Sequence, residues 1–205
     1  MKIKSVSFLK SCTNTSQFPG FDYPEFAFFG RSNVGKSSLL NMILGQKDLV
    51  KTGSRPGVTQ TINFFIVNDN RSFVDLPGFG YAKLPMSIKK KLLPMINEYI
   101  EKRENLKLAF LLIDIRRVPG DYEKDIIELF AKNRVPVVIT LTKCDKLSKN
   151  QRQKNISDIQ KSLGIDKNSI FLTSSETNEG KKELLMLIDE FSHTKKKTIV
   201  ESSDT

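Results

Sequence analysis

One short stretch restricts the fold of this chain more than any other, because it is a glycine-rich loop flanked by strand-like and helix-like segments. The loop is residues 30–37, which read Gly30-Arg31-Ser32-Asn33-Val34-Gly35-Lys36-Ser37. It fits the pattern G-x-x-x-x-G-K-[ST], follows the apolar run Phe26 to Phe29 and precedes the helix-like Ser38 to Ile43. A plain glycine turn is the alternative, but these flanks favour a phosphate-binding loop.

The residue types of this loop suit a phosphate chain. Glycines let backbone N–H groups turn toward phosphate oxygens, and the helix that follows presents its positive end. Lys36 adds a mobile cation for the outer phosphates, and Ser37 offers a hydroxyl to Mg²⁺, a hard cation that prefers oxygen ligands. The sequence therefore predicts binding of a nucleoside triphosphate with Mg²⁺.

Composition limits the compartment and the partners. The 205 residues suit one α/β domain, and 33 Lys and Arg against 23 Asp and Glu give a formal net charge of +10. This balance favours a polyanionic partner such as nucleic acid or an anionic membrane surface, although solvated basic faces would also explain it. Cys12 and Cys144 form neither a metal-ligand spacing nor a disulfide framework. With no signal peptide or membrane span expected, a cytoplasmic location is predicted.

Hydrophobic periodicity predicts alternating strands and helices around a parallel sheet. An arm or short edge strand is expected before Glu25, and a long functional loop between Gln46 and Gln60. The predicted strands are Phe26–Phe29, Thr61–Val67, Arg71–Val74, Leu108–Asp114, Val135–Leu141 and Ser169–Leu172. The predicted helices are Ser38–Leu44, Ser87–Glu101 with a kink or shift at Pro94, Tyr122–Asn133, Lys149–Leu163 and Lys181–Phe191. Residues 1–193 are expected to form one domain, and 194–205 a disordered polar tail.

Two further stretches indicate which nucleotide is bound. Asp75, at the end of a predicted strand, would hold Mg²⁺ through water, and the N–H of Gly78 would meet a γ-phosphate. Asp145 follows the strand ending at Leu141, where a carboxylate would accept the N1–H and N2–H₂ of guanine, and Lys143 would lay its stem along the base. Ordinary turns would explain each stretch alone.

A third stretch, Ser174-Ser175-Glu176, follows the last predicted strand. A backbone N–H there would reach the guanine O6, although a helix N-cap explains the same residues equally well. The order of the stretches and their positions at strand ends favour a guanine-nucleotide site.

With these motifs, the chain resembles the EngB family, also called YihA or YsxC, of bacterial ribosome-assembly GTPases. The resemblance covers about residues 5 to 192 and is carried by the phosphate loop through Leu39, residues 54–60 and 75–82, Asp114-Ile115-Arg116-Arg117 and Thr142-Lys143-Cys144-Asp145. It implies a three-layer Ras-like P-loop GTPase fold, with a mostly parallel six-stranded sheet, one antiparallel strand and helices on both faces.

The resemblance also implies roles for individual residues. Thr59 would reach Mg²⁺ and the γ-phosphate only in the GTP state, although it is otherwise an ordinary loop threonine. Implied nucleotide contacts, besides residues 30–37, are Ser38, Gly57, Val58, Thr59, Gln60, Thr61, Asp75, Leu76, Pro77, Gly78, Thr142, Lys143, Cys144, Asp145, Ser174, Ser175 and Glu176. Mg²⁺ ligands would be Ser37 and Thr59, with Asp75 acting through water. Catalysis would involve Lys36, Thr59, Gly78 and Asn33.

Two departures from Ras-like proteins affect the expected chemistry. Thr142 stands where many GTPases carry Asn, which removes a side-chain amide and predicts weaker base affinity. Phe79 stands where Ras-like proteins place a water-orienting glutamine, which predicts slow intrinsic hydrolysis. Asn33 matches an asparagine that helps to hold K⁺ in related GTPases, so K⁺ stimulation is a hypothesis, the alternative being that Asn33 only shapes the loop. Phe79 and Tyr81 are either packing residues or a nucleotide-dependent aromatic surface.

The function implied by the resemblance is a monomeric GTP-driven switch whose partner is the maturing large ribosomal subunit, both RNA and protein. Arg116 and Arg117 are candidates for ribosomal RNA contacts, or equally are solvated loop charges. A switch acting directly on a protein of cell division and septation is a second hypothesis. A P-loop kinase is a third, and Asp145 together with the absence of a lid-like insertion argues against it.

Overall fold

The central layer of the molecule is a seven-stranded β-sheet. The computed structural model describes residues 1–50, 61–79, 86–166 and 169–193, and of residues 86–93 the backbone alone. The elements in chain order are β1 (Val6–Cys12), β2 (Glu25–Gly30), α1 (Lys36–Leu44), β3 (Ile62–Val67), β4 (Arg71–Asp75), α2 (Met86–Lys102), β5 (Leu106–Asp114), α3 (Asp121–Lys132), β6 (Val137–Thr142), α4 (Lys149–Leu163), β7 (Ile170–Leu172) and α5 (Lys181–Ser192).

The strand order is β1-β3-β4-β2-β5-β6-β7, and only β3 runs against its neighbours. The mostly parallel sheet with one antiparallel strand is therefore confirmed, but the expected count of six strands was wrong. The seventh strand is β1, which pairs antiparallel with β3 along its length from Val6 to Cys12. Cys12 is fully buried, so the core begins well before Glu25. The turn residues Pro19 and Gly20 lie between this strand and β2, after the first buried residue of the core.

Two hydrophobic cores, one on each face of the sheet, account for the three layers. Strand β2 shows the division, since Ala27 and Phe29 face one core while Phe26 and Phe28 face the other. Helices α2, α3 and α4 cover the first core, and α1 and α5 cover the second. Because parallel strands are buried on both faces, they read as continuous apolar runs in the sequence, which is why the central strands were recognisable.

Element boundaries differ from the predicted ones by a few residues. Helix α1 begins at Lys36, two residues earlier than predicted, because the glycine loop leads directly into it. Helix α2 continues through Pro94. Strand β6 is shifted toward Thr142, which becomes its last residue. The predicted tail from Thr194 to Thr205 lies outside the described residues.

The sheet also fixes where a ligand would bind. Strand β2 lies between β4 and β5. The strands that follow it first, β3 and β4, are added on one side of β2, and β5, β6 and β7 are added on the other side. Ligands of open α/β sheets bind at the carboxyl ends of the strands around such a reversal of strand order. The ends of β2, β4, β5 and β6 lie along this edge and carry Gly30, Asp75, Asp114 and Thr142.

Candidate nucleotide-binding site

The loop between β2 and α1 has the backbone shape of an anion cradle. Asn33 has φ +64°, and Gly35, the N-cap residue just before α1, has φ +104°. Among the described residues, no group accepts a hydrogen bond from the main-chain amides of Asn33 and Gly35. A Cβ at Gly30 would lie 2.6 Å from the carbonyl oxygen of Leu112, so a side chain there would displace the loop. These features fit a phosphate chain bound by main-chain amides.

The carbonyl groups of the same loop are held by residues from β6 and the turn after it. Thr142 Oγ1 donates to the Val34 carbonyl at 2.6 Å, and Lys143 Nζ donates to the Asn33 carbonyl at 2.7 Å. Lys143 has φ +60°, and its Cε would lie 3.7 Å from a Cβ at Gly35, so its stem crosses the loop. The structure thus joins the predicted phosphate and base motifs directly.

The predicted Mg²⁺ residues Ser37 and Asp75 occur on α1 and at the end of β4. Lys36 forms an ion pair with Asp75, and both side chains are largely buried. Asn63, paired with Asp75 across β3 and β4, donates to its other carboxylate oxygen at 3.3 Å. A hydroxyl and a carboxylate are oxygen donors, the class that Mg²⁺ prefers, so this donor set fits a Mg²⁺ ion shared with phosphates.

The segment from Asp75 to Phe79 packs against the phosphate loop. The amide of Phe79 donates to the Gly30 carbonyl at 3.2 Å, and the amide of Ser32 donates to the Phe79 carbonyl at 2.9 Å. A Cβ at Gly78 would lie 3.5 Å from the Ser32 nitrogen, so Gly78 lies directly beside the loop. Leu76 is fully buried, and Pro77 lies between it and Gly78.

Phe79 is a packing residue in this structure. Its side chain is fully buried, with its ring centroid 4.8 Å from that of Tyr122 on α3. Of the two predicted roles, the aromatic surface does not describe Phe79 here, because a ring facing the core presents nothing to a partner. Tyr81 lies outside the described residues, so the same alternatives remain predictions for it.

Asp145 follows β6 in a short 3-10 turn, where its carboxylate is held by two partners. Ser174 Oγ donates to it at 2.7 Å, and Lys146 Nζ lies 2.9 Å from the other carboxylate oxygen. The hydrogen bond from Ser174, followed by that from Lys146, lowers the pKa of Asp145 below its ordinary value. The group is therefore an ionised acceptor at neutral pH, as recognition of a guanine edge requires.

The remaining predicted base-site residues have different environments. Ser174 is buried and accepts from the amides of Glu176 at 3.2 Å and Thr177 at 3.3 Å, so it orients Asp145 and the loop together. Ser175 and Glu176 are exposed. Cys144 is buried, and burial is the main reason that its thiol pKa is raised to about 11. Its side chain is thus a structural thiol beneath the site.

Asp114, at the end of β5, is a site residue to which sequence reasoning gave no role. It accepts from Arg116 Nε at 2.9 Å and Nη2 at 2.7 Å, and Lys143 Nζ lies 3.0 Å away. Burial alone would raise the pKa of Asp114, but the hydrogen bonds from Arg116 and Lys143 outweigh it and hold the pKa well below the usual range. A carboxylate ending a central strand at the ligand edge was the signal available in the sequence.

Asn63 was missed as well, although the two predicted strands Thr61–Val67 and Arg71–Val74, separated by a short turn, contained the signal for it. A turn centred on Asp69 pairs Val67 with Arg71 and, four residues further along, Asn63 with Asp75. Thr61, a predicted nucleotide contact, lies just before β3 and donates to the Asn63 carboxamide oxygen at 3.0 Å. Ser38 lies in the first turn of α1. The predicted contacts Gly57, Val58, Thr59 and Gln60 lie outside the described residues.

Comparison with known proteins gives the family of this site. A family model described as "50S ribosome-binding GTPase" matches residues 25–143, from β2 to the base motif. "Probable GTP-binding protein EngB" of Desulforapulum autotrophicum is 49% identical over 92% of this chain and 97% of its own length. The chain belongs to the EngB family of GTP-binding proteins. Another EngB protein, from Desulforamulus reducens, is 47% identical over 94% of this chain and 95% of its own length.

Solved structures agree with the EngB assignment. A crystal structure of a probable GTP-binding protein engB has a TM-score of 0.68, with 26% identity over 82% of this chain and 98% of that one. Era, solved with MgGDPNP and a segment of 16S ribosomal RNA, has a TM-score of 0.60 at 20% identity and shares the fold. The matched region covers 82% of this chain and 56% of the Era chain. No helix in the described ranges combines the length and apolar character needed to span a bilayer.

Proposed function

We propose that this protein is a monomeric, cytoplasmic switch that binds GTP with Mg²⁺ and hydrolyses it slowly during assembly of the large ribosomal subunit. We also propose that it is needed for normal cell division and septation. The observation that carries the proposal is the link between base motif and phosphate loop: Thr142 and Lys143 hold the loop, and Asp145 follows them as an ionised acceptor.

The chain's own groups divide the work of binding. The main-chain amides of the loop and the ammonium of Lys36 would hold the phosphates, while the carboxylate of Asp145 would accept from guanine. Mg²⁺, held by Ser37, by Thr59 and through water by Asp75, would neutralise charge on the phosphates. In the described structure Lys36 pairs with Asp75. Nucleotide binding would therefore exchange that pair for phosphate and metal contacts.

Slow hydrolysis follows from what lies next to Gly78. Phe79 is buried against Tyr122, so its side chain is not available to orient an attacking water. The amide of Gly78 would meet the γ-phosphate, and Asn33, exposed on the loop, is the group proposed to help hold K⁺. Equal hydrolysis rates in KCl and NaCl would contradict the K⁺ part of the proposal without affecting the rest.

The ribosomal partner is supported by the description of the matching family and by the net charge of +10. Phosphate contacts would dominate affinity for ribosomal RNA and make it salt-dependent. The test is sedimentation of the protein with large and small subunits in the presence of a non-hydrolysable GTP analogue or GDP. Association with the large subunit in the analogue state alone supports the proposal. Equal association in both states, or none, would direct attention to a protein of division instead.

Guanine recognition has its own test, the substitution Asp145→Asn. An amide would donate where the carboxylate accepts, so it matches the 2-carbonyl of xanthine better than the 2-amino group of guanine. The variant should lose GTP affinity and gain XTP affinity, measured by competition against a fluorescent nucleotide. An Asp145→Asn variant that kept wild-type preference for GTP would show that the base is read elsewhere.

A further inference from the structure

A second cleft, away from the nucleotide edge, is lined by lysines. It has a volume of about 360 Å³ and lies between the N-terminal segment of residues 1–5, the end of α1 and the beginning of α5. Lys2, Lys4 and Lys181 line it, and we call it the lysine cleft. Lys181 Nζ lies 3.8 Å from where a Cβ of Gly45 would be, so this ammonium lies beside the end of α1.

The first two lysines stand on a fixed backbone. Met1 and Ile3 pack against the second core, whereas Lys2 and Lys4, which alternate with them, are exposed. Asn68 holds the segment: its carboxamide oxygen accepts from the amide of Lys4 at 2.7 Å, and its Nδ2 donates to the Lys2 carbonyl at 2.8 Å. Their backbone positions are therefore set by the fold before any partner arrives, which lowers the entropy lost on binding.

Two described carboxylates near the lysine cleft contact other groups, since Asp69 accepts from Ser5 Oγ at 3.2 Å and Asp189 lies beside the N-terminal ammonium. None of its described lining residues is acidic, and among the described residues no carboxylate lies within 4.0 Å of the ammonium groups of Lys2, Lys4 or Lys181. The N-terminal ammonium is different, since it lies 3.7 Å from Asp189. Three unpaired ammonium groups around one concavity form a site for a polyanion.

Most cations at the nucleotide edge, by contrast, have carboxylate partners, although Arg117 is exposed and has none within 4.0 Å among the described residues. Those pairs are Arg31 with Glu123, Lys36 with Asp75, Arg116 and Lys143 with Asp114, and Lys146 with Asp145. Arg116, a candidate RNA contact in the sequence, directs its guanidinium at Asp114 rather than at solvent alone. The lysine cleft therefore groups three cations that have no carboxylate partner among the described residues, whereas most cations at the nucleotide edge are paired.

We propose that the lysine cleft binds the phosphate backbone of RNA, with Lys2, Lys4 and Lys181 as the contacting groups. This inference rests on the proposed ribosomal function and gives it a contact surface. Concavity favours an RNA backbone over an anionic membrane, because a single strand can enter a cleft more readily than a broad, flat bilayer surface can. The apolar side chains of Met1 and Ile3 are partly buried against the second core, which limits the apolar surface available for insertion into a lipid interface.

The test compares two triple variants of the full chain. Lys2→Ala/Lys4→Ala/Lys181→Ala removes three charges from the cleft, and Lys149→Ala/Lys154→Ala/Lys161→Ala removes three from exposed positions on α4 as a matched control. Binding to a fluorescein-labelled stem-loop RNA is followed by anisotropy across a series of KCl concentrations. A third variant, with arginine at the three cleft positions, retains the charge.

The expected result is selective loss in the cleft variant. Affinity should fall about tenfold to a hundredfold, and the slope of log K against log salt should become shallower by about 2, because fewer counterions are released. The α4 control should change by less than about threefold, and the arginine variant should bind like wild type. GDP affinity should be the same in all the variants, which excludes misfolding as the cause.

Several outcomes would overturn the inference. Equal losses in the cleft and α4 variants would mean that only total charge matters, and unchanged RNA binding by the cleft variant would mean that the lysines are solvated. Preferential binding of wild type to phosphatidylserine vesicles over RNA would make the cleft a membrane contact. The same variants are sedimented with large subunits. Retention of the cleft variant there, with wild-type GTP dependence, would refute the cleft and leave the proposed function intact.

Discussion

The side-chain hydroxyl of Thr142 donates a 2.6 Å hydrogen bond to the main-chain carbonyl of Val34, 108 residues earlier in the chain. Both groups are buried, so the bond fixes the phosphate loop to the strand that leads to Asp145. The sequence suggested that threonine here weakens base affinity because it lacks an amide. That effect on base affinity stays a prediction, and the structure adds a second role: the hydroxyl reaches the loop carbonyl directly.

Removing that tether should weaken nucleotide binding. Thr142→Val keeps the shape of the side chain but leaves the Val34 carbonyl without this donor, which costs about 1 to 3 kcal/mol for a buried acceptor. Because the phosphate loop loses this anchor, part of the lost free energy will appear as weaker nucleotide binding. GDP affinity should therefore fall about tenfold. Titration with a fluorescent GDP analogue measures the change.

Thr140 supplies a matched control for this prediction. It is two residues earlier on β6, fully buried, and its hydroxyl has no hydrogen-bond partner among the described residues. Thr140→Val should therefore leave GDP affinity unchanged and should not lower the melting temperature. If both valine variants bind GDP equally well, the tether has no role in binding and the prediction is wrong.

The Lys36–Asp75 ion pair predicts an unequal effect of Mg²⁺. Without Asp75, the Lys36 ammonium would have no carboxylate partner there and would interact with the incoming phosphates alone. Asp75→Ala should therefore leave Mg²⁺-free GDP affinity unchanged or improved, while the Mg²⁺ concentration for half-maximal tightening rises about tenfold to a hundredfold. Nucleotide titrations with EDTA and with increasing MgCl₂ separate the two effects. Equal weakening in both conditions would show that Asp75 acts on the loop rather than on the metal.

The central part of the fold was predictable because its signals are local. Buried parallel strands are continuous apolar runs, and the glycine loop ends one strand and begins one helix, so β2, β5, β6 and α1 were placed within a few residues. Strand β1 was harder to predict. It is a mostly exposed edge strand with Phe8 and Leu9 open to solvent, so it lacks a buried apolar run. The sequence left an arm or a short edge strand open before Glu25, and pairing with β3 decides for the strand.

In the candidate site, too, local features were predictable and contacts between distant segments were not. Residues within one motif, such as Lys36 and Asp145, were identified from spacing and from strand ends. The contacts between motifs were not, because Thr142 with Val34 and Lys143 with Asp114 depend on the register of distant strands. Phe79 shows the limit most clearly, since the sequence left a packing role and an aromatic surface open, and only the tertiary contact with Tyr122 decides for packing.

Asp114 predicts how stability depends on pH. Its pKa is depressed in the folded protein, so its ion pairs contribute stability that is fully present above the unfolded value, about 3.9, and is lost as pH falls through the folded pKa. Asp114→Asn should therefore be less stable than wild type from neutral pH down to about pH 5, and the difference should shrink below about pH 4. Urea unfolding at a series of pH values measures it. A difference that stayed constant into the acid range would mean that charge at Asp114 contributes nothing.

The same substitution should affect the nucleotide through Lys143. Asp114 lies 3.0 Å from the Lys143 ammonium that also donates to the Asn33 carbonyl. Asp114→Asn should accelerate GDP release about threefold to tenfold, measured by stopped-flow displacement of a fluorescent analogue. In a Lys143→Ala background the same change should have little further effect, because the two residues act through one contact. Additive effects in the double variant would separate Asp114 from Lys143.

A buried ion pair far from the phosphate loop predicts the largest loss of stability. Glu25, fully buried at the start of β2, accepts from Tyr99 Oη at 2.6 Å and from Arg103 Nη2 at 2.8 Å. Glu25→Gln would leave the largely buried guanidinium of Arg103 without its counter-charge, which typically costs about 3 to 5 kcal/mol. Glu98→Gln is the control, because its pair with Lys102 is exposed and should contribute far less to stability. Guanidinium unfolding of the two variants measures both losses. Equal, small losses would mean that water or rearranged neighbours compensate the charge of Arg103.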